Sequence, residues 1–297
     1  MNMPAGIVAA LIALLAWGFG DFFIQKTIRL LGRLESLFLI GAFSCIVLLP
    51  FVWRSLPSAV ADLQTFSILV VTFVISFGGA MVLFTALKHG KISVVLPVFS
   101  SELLITVLIS VLVLHETVTV VQLVLAGIVF LGILLIVVHR DEMHWWERWK
   151  TTSIYERGIV LAAIAAVFSS LNNIFTAISS RLSDPLTAIW FIHTGLGITS
   201  GIWLIALGKF GTMLRGIPKN WKLVLSQSSL DNIAWVAYAK AVTALPIAVT
   251  VAITESFIGL AALLGIFIGK EKVNRTQVAG IVLTLIAATI LTLISGG

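Results

Sequence analysis

Long, continuously apolar runs separated by short polar segments are the dominant pattern of this sequence. A helix needs about 20 apolar residues to cross the hydrocarbon core of a bilayer, and each run has roughly that length. The strands of a membrane barrel would instead alternate apolar and polar residues over about ten positions. We therefore predict ten transmembrane helices, approximately over residues 6–24, 36–53, 66–87, 93–114, 118–138, 158–178, 186–207, 223–242, 247–268 and 276–294.

The composition places the chain in the same class. Of the 297 residues, 59% are hydrophobic and only 11% are charged, and the mean hydropathy is +1.12. Soluble domains carry about 25% charged residues. The predicted fold class is therefore an all-α integral membrane protein, whose main partner is the lipid bilayer.

The net charge of +6 comes from basic residues in the loops and does not indicate nucleic-acid binding. When the loops are counted alternately, sixteen Lys and Arg residues fall on one face, and three fall on the other: Arg54, Arg181 and Lys240. Basic loops remain in the cytoplasm under the positive-inside rule. We expect a multi-pass protein of the plasma (cytoplasmic) membrane with both termini outside.

The second half of the sequence repeats the first at a spacing of about 152 to 155 residues. Ala86 precedes Glu102 by sixteen residues, and Ala239 precedes Glu255 by the same interval. A loop glutamate followed six residues later by a glutamine also recurs. The predicted domains are a five-helix repeat over residues 1–138, a polar, Trp-rich interfacial linker over 139–157 and a second five-helix repeat over 158–297.

An odd number of helices per repeat makes the two repeats inverted in the membrane. Inverted repeats around a midplane site are an architecture of secondary transporters. We therefore predict a secondary transporter of a small-molecule solute that works by alternating access. The alternatives are an intramembrane lipid-modifying enzyme and a passive channel.

Motifs for other chemistry are absent from the sequence. It contains neither a Walker-type nucleotide motif nor an HExxH-type metal motif, so we expect no ATP use, cofactor, bound metal or enzymatic activity. The oligomeric state stays open between a monomer and an oligomer.

Several short features resemble the EamA-type members of the drug/metabolite transporter superfamily. They are Trp17 and Gly18 with a following Lys26, Ala86, Leu87 and Lys88 at the end of the third helix, and Glu116 and Glu271 before the last helix of each half. The resemblance covers essentially the whole chain. It implies a ten-helix exporter of metabolites, amino acids or drugs that works through a central cavity.

The sequence departs from its relatives in two respects. Ten-helix relatives are usually drawn with both termini in the cytoplasm, opposite to the charge count here. The related small multidrug-resistance pumps carry a proton-coupling glutamate in their first helix, whereas Trp17 lies near that register in this chain. Their coupling mechanism therefore does not transfer directly.

Four acidic residues fall inside the predicted helices, where a charged group costs about 2.5–3.5 kcal/mol on insertion scales. Glu102 and Glu255 occupy equivalent points of the two repeats. One interpretation is a pair of carboxyl groups that lines a cavity or is coupled to protons. The other is that both carboxyl groups are structural. Asp21 either lines the substrate path or pairs with Lys26 or Gln25 near the interface.

The fourth acid, Asp231, shares one face of the eighth predicted helix with Ser228, Trp235 and Tyr238, because the spacings are three, four and three residues. Asn232 adjoins this face. The equivalent positions of the first repeat include glycines, so the polar face is specific to one repeat. Asp231, Asn232, Trp235 and Tyr238 are therefore candidates for the lining of the substrate path. Carboxylates with aromatic faces would suit an amine.

A polar stripe on the sixth predicted helix contains Asn172 and Asn173, flanked by Ser169 and Thr176. A lipid-facing stripe would be apolar, so these residues either contact the solute or make interhelical hydrogen bonds.

Aromatic residues and glycines add further candidates. Trp17 and Trp190 either stack on a solute or pack against other helices. His193, one turn after Trp190, either titrates near neutral pH or is a hydrogen-bonded core residue. Gly197 and Gly201 form a small-residue pair that predicts close packing of another helix.

Overall fold

The computed structural model describes residues 3–89, 95, 98–137, 153–267 and 273–295, and within these ranges the regular secondary structure is helical. The predicted linker at 139–157 lies outside the described residues up to position 152. The helices are α1 (Met3–Leu30), α2 (Arg33–Val52), α3 (Leu56–Ala61), α4 (Leu63–His89), α5 (Glu102–Leu112), α6 (Val120–Val137), α7 (Ser153–Leu182), α8 (Pro185–Ala206), α9 (Phe210–Gly216), α10 (Trp221–Ala241), α11 (Ile247–Glu255), α12 (Phe257–Phe267) and α13 (Arg275–Ile294).

Eight stretches of the described chain are long and apolar enough to cross a membrane, which confirms an all-α membrane protein. The eight coincide with eight of the ten predicted runs. Of the run at 93–114, the 11-residue helix α5 is described. The run at 223–242 forms the 21-residue helix α10, which is long enough but carries too many polar residues.

The unpacked faces of the helices are apolar. Leu15 on α1 is 49% exposed, Ile46 on α2 is 73% exposed and Ile202 on α8 is 63% exposed. A helix facing water would present charged and polar residues on that side. These surfaces are therefore suited to lipid.

The chain divides into two compact units that each combine segments from both halves of the sequence. The first unit contains residues 8–74 and 175–244, and the second contains residues 2–7, 75–174 and 245–297. Helices α1, α4 and α7 contribute to both units.

Helices α2 and α8 pack closely in the first unit at a pair of glycines. A Cβ atom added to Gly197 would lie 3.0 Å from the carbonyl carbon of Gly41, and one added to Gly201 would lie 3.1 Å from the Phe38 ring. A Cβ atom on Gly41 would overlap the backbone of His193 and Gly197. The predicted role of Gly197 and Gly201 in helix packing is confirmed.

Helices α6 and α13 pack in the same manner in the second unit. A Cβ atom on Gly280 would lie 2.6 Å from the Gly132 carbonyl oxygen. At the ends of this pair, the Gln277 side chain donates a hydrogen bond to the Ile136 carbonyl oxygen at 3.1 Å. Small residues therefore allow backbone-to-backbone approach in both units.

The loop glutamate Glu116 stabilises a helix start. The Glu116 carboxylate accepts hydrogen bonds from the Ile247 backbone N–H, at 2.6 Å, and from the Ser110 hydroxyl. The first four N–H groups of a helix lack intrahelical partners, and Ile247 is the first residue of α11. Glu116 therefore connects the loop before α6 to α11 within the second unit.

We predict that Gly41→Ala lowers the free energy of unfolding by about 1–3 kcal/mol, because the added methyl group forces α2 and α8 apart. Gly127 on α6 provides a matched control, since a Cβ atom there meets no atom within 4 Å. Gly127→Ala should leave stability unchanged or raise it by up to about 1 kcal/mol, because alanine favours helix. Denaturant unfolding in detergent micelles measures both effects, and equal effects would contradict the close α2–α8 contact.

Candidate substrate site

The candidate site lies where α1 crosses α10 in the first unit. A Cβ atom added to Gly20 would lie 3.3 Å from the Leu230 Cβ atom and 4.0 Å from the Asp231 backbone nitrogen. The missing side chain at Gly20 therefore lets α1 approach α10 closely. Trp17, one turn before, and Asp21, one residue after, are brought against the polar face of α10.

Three aromatic rings form a cluster at this crossing. The Trp17 and Trp235 ring centroids are 5.1 Å apart with nearly perpendicular planes. Tyr238 lies 5.8 Å from each of the two tryptophan rings. The Trp235 ring is edge-to-face with both other rings, an arrangement that is favourable for aromatic pairs. Trp17 and Tyr238 are buried at 9% and 0% exposure, and Trp235 is half-buried.

Two carboxyl groups accompany the aromatic cluster. Asp231 is 8% exposed, and Asp21 is half-buried. Gly20, which directly precedes Asp21, contacts the turn of α10 that carries Asp231, so the two acids lie on adjoining segments of α1 and α10. Among the described side chains no cation pairs with either of them, and Lys26, one predicted partner of Asp21, is exposed. The side chain of Gln25, the other predicted partner, lies outside the described residues.

A hydrogen-bonded histidine adjoins the cluster. The His193 Nδ1 atom lies 2.9 Å from the Asn232 Oδ1 atom, and the imidazole ring lies 6.4 Å from Trp235 in an edge-on arrangement. His193 is 3% exposed, which agrees with the interpretation as a buried, hydrogen-bonded residue. It is nevertheless part of the site, because it contacts one of the clustered rings.

Trp190 has a packing role in the described structure. Its indole N–H donates a hydrogen bond to the Cys45 carbonyl oxygen at 3.2 Å, which links α8 to α2. No contact with the rings of the cluster is found for Trp190 among the described residues. Of the predicted candidates, the structure thus brings together Trp17, Asp21, Asp231, Asn232, Trp235 and Tyr238.

The remaining four candidates belong to the second unit. Asn172 accepts a hydrogen bond from Ser76, and the Glu102 carbonyl oxygen accepts one from Ser170 at 2.8 Å. These contacts join α7 to α4 and to α5, which supports the interhelical role of the polar stripe. Glu102 and Asn173 are each 5% exposed; Glu255, half-buried, ends α11.

A separate polar cavity of about 360 Å³ in the first unit contains two further acids. Asp184 accepts hydrogen bonds from the first N–H groups of α8, and Asp62 accepts bonds from the Thr65 hydroxyl and backbone at the start of α4. The bonds from Thr65 lower the pKa of the Asp62 carboxyl. We therefore assign the two acids of this cavity to helix capping.

Comparison with known proteins adds the family. The model of the EamA-like transporter family matches residues 4–138 and 156–293, which is most of the chain. This chain belongs to the EamA-like transporter family. That family lies within the drug/metabolite transporter superfamily, so the resemblance noted in the sequence is confirmed.

Individual relatives of this EamA-like protein match about half of it. An Archaeoglobus fulgidus protein, described as an uncharacterized transporter, is 28% identical over 131 residues, which are 44% of this chain and 47% of that protein. An uncharacterized Methanocaldococcus jannaschii protein is 26% identical over 140 residues, 45% of this chain and 97% of its own. The chain thus matches about half the length of the first relative.

One crystal structure shares the fold of this EamA-like protein. It covers 99% of each chain with a TM-score of 0.74 at 15% sequence identity. At that identity the likeness concerns the fold alone.

Sequence reasoning missed the residues that assemble the EamA-like site without contributing side-chain chemistry. Gly20 sets the α1–α10 distance, and the Ile40 carbonyl oxygen accepts a hydrogen bond from Asn232. A glycine directly before an intramembrane acid was a usable signal for the first. A backbone carbonyl on another helix leaves no signal in the sequence.

We predict that at alkaline pH, where both carboxyl groups lose their protons, Asp21→Asn and Asp231→Asn each raise the free energy of unfolding by about 1–3 kcal/mol, because each removes one of two neighbouring buried charges. The double variant should gain less than the sum, since the mutual repulsion is removed only once. Thermal unfolding in detergent at fixed pH measures the cycle.

Asp184→Asn is the control for this cycle, because an asparagine also caps a helix and stability should stay within about 0.5 kcal/mol. Additive effects of Asp21→Asn and Asp231→Asn, or a loss of stability in both variants, would show that the two carboxylates do not repel each other.

Proposed function

We propose that this EamA-like protein is a secondary transporter that exports small organic solutes, with amines, amino acids or amine-containing drugs as the substrate class. Its substrate site is the cluster formed by Trp17, Asp21, Asp231, Trp235 and Tyr238. The observation that carries the proposal is the pair of intramembrane carboxyl groups beside three aromatic rings.

The chemistry of the cluster favours a cationic group. A carboxylate attracts an ammonium ion, and the faces of tryptophan and tyrosine attract cations by about 0.5–2 kcal/mol. Aromatic rings also accommodate the apolar part of a small solute. Charged residues inside membrane helices are expensive to bury, so a binding role explains their presence better than packing does.

The proposed architecture is ten spans in two inverted five-helix repeats. The two stretches matched by the family model, residues 4–138 and 156–293, support a duplication. The M. jannaschii relative also supports a duplication, because the match covers 97% of that protein but only 45% of this chain. Equivalent predicted spans pack together inside the units, namely α2 with α8, α5 with α11 and α6 with α13.

Transport in this scheme occurs by alternating access of the two repeats and is driven by a gradient across the membrane. Glu102, Asn172, Asn173, Trp190 and Glu255 stay candidates for other parts of the substrate path. The hydrogen bonds of Asn172 and Trp190 favour a structural contribution for these two.

We predict saturable flux of labelled amines through the purified protein in liposomes. Asp231→Asn should lower the flux roughly tenfold or more, because a hydrogen bond to a charged ligand is worth about 1.5–3 kcal/mol. Trp235→Leu should lower it by roughly two- to thirtyfold, because a cation–π contact is worth about 0.5–2 kcal/mol. Asp184→Asn should retain wild-type flux, since that carboxyl group caps α8. Unlabelled amine inside the liposomes should accelerate uptake, which is the signature of a carrier.

Two other results would contradict the proposal and favour a channel or an enzyme. Flux that neither saturates nor accelerates in the presence of trans solute would indicate a channel. Absence of flux for amines, amino acids and nucleosides from folded protein, with turnover of a lipid substrate, would indicate an intramembrane enzyme.

The proposed topology places both termini outside the cytoplasm, as the Lys and Arg distribution indicates. Ser58 and Thr212 are both exposed, and they lie on the short connecting helices α3 and α9, which fall on opposite faces in this scheme. In a Cys45→Ala background, an impermeant maleimide added to intact cells should label Ser58→Cys and leave Thr212→Cys unlabelled. The reverse labelling would place the termini in the cytoplasm.

A further inference from the structure

The hydrogen bonds around Asn232 determine the orientation of its side chain. Its Nδ2 atom donates to the Ser228 carbonyl oxygen at 2.8 Å and to the Ile40 carbonyl oxygen at 3.2 Å. An amide NH₂ group has two hydrogen atoms, so both are used. The opposite orientation would direct the amide oxygen at two carbonyl oxygens. The Asn232 Oδ1 atom therefore faces His193.

This orientation sets the proton position on the neutral His193 ring. The Asn232 Oδ1 atom is an acceptor, so the His193 Nδ1 atom at 2.9 Å must donate. In neutral imidazole a proton on Nδ1 leaves Nε2 as an acceptor. No described residue forms a hydrogen bond with Nε2, so the chain of bonds from Ile40 through Asn232 leaves a histidine acceptor beside Trp235.

We infer that the site selects ammonium or guanidinium solutes that carry N–H donors over quaternary ammonium ions of the same charge, with His193 as the specificity-determining residue. This inference rests on the proposed function, in which a cationic solute binds at the aromatic cluster. An aromatic cage alone accepts quaternary ammonium ions well. The acceptors on Asp231 and His193 reverse that preference, because a quaternary ion cannot donate to them.

The test compares 2-phenylethylammonium with its N,N,N-trimethyl derivative, which share the charge and the aromatic body. Dissociation constants are measured by calorimetry on the full chain in nanodiscs. The wild type should bind the primary amine roughly tenfold or more tightly, as expected for one additional hydrogen bond to a charged donor. Equal binding, or tighter binding of the trimethyl ion, would overturn the inference and leave the proposed function standing.

His193→Phe keeps a planar ring and removes the acceptor. It should bring the two dissociation constants to within about twofold while leaving that of the trimethyl ion unchanged. His115→Phe, which alters an exposed loop histidine, is the matched control and should preserve the wild-type ratio. A preserved ratio in His193→Phe would overturn the role assigned to His193.

The proton position is tested without ligand. The ¹⁵N spectrum of histidine-labelled protein should contain an Nδ1-protonated signal that is absent in His193→Phe and lost in Asn232→Leu. An Nε2-protonated His193 in the wild type would overturn the inference. If His193→Phe does not fold, this measurement on the wild type still tests the inference. Absence of binding and flux for both ions would instead overturn the proposed function itself.

Discussion

The absence of water in the hydrocarbon core is the constraint on which the rest of the structure depends. Backbone polar groups there must bond within the chain, which is why the spans are helices. Polar side chains need a partner, a ligand or a location away from lipid. Apolar residues such as Ile46 and Ile202 accordingly cover the outer helix faces, whereas α10 buries Gln227, Asp231 and Asn232.

Hydrocarbon does not drive apolar side chains together, so the helices associate through shape and polar contacts. Gly41 with Gly197, and Gly132 with Gly280, let pairs of backbones approach directly. Gly20 likewise lets α1 approach α10 closely, and there the close approach brings functional side chains together. It brings a tryptophan and an acid on α1 to an acid and two aromatic residues on α10.

The two units use their polar residues differently. In the second unit, Ser76 and Asn172 bond to each other across helices, and Glu116 bonds to the start of α11. In the first unit, neither Asp21 nor Asp231 pairs with a cation among the described side chains, and the hydrogen bonds of Asn232 leave an acceptor on His193. Groups that are paired across helices stabilise a membrane protein; under the proposed function, the carboxyl groups of the first unit bind the solute.

The sequence alone determined the membrane class, the approximate spans and the family, because hydrophobic length and repeated motifs are properties of the chain itself. It also placed Asp231, Trp235 and Tyr238 on one face, since helical periodicity follows from spacing. Only the tertiary structure decided that Trp17 and Asp21 join that face while Trp190 bonds to Cys45. Contacts between distant segments depend on how closely two helices approach, and a missing side chain or a backbone carbonyl on another helix sets that distance.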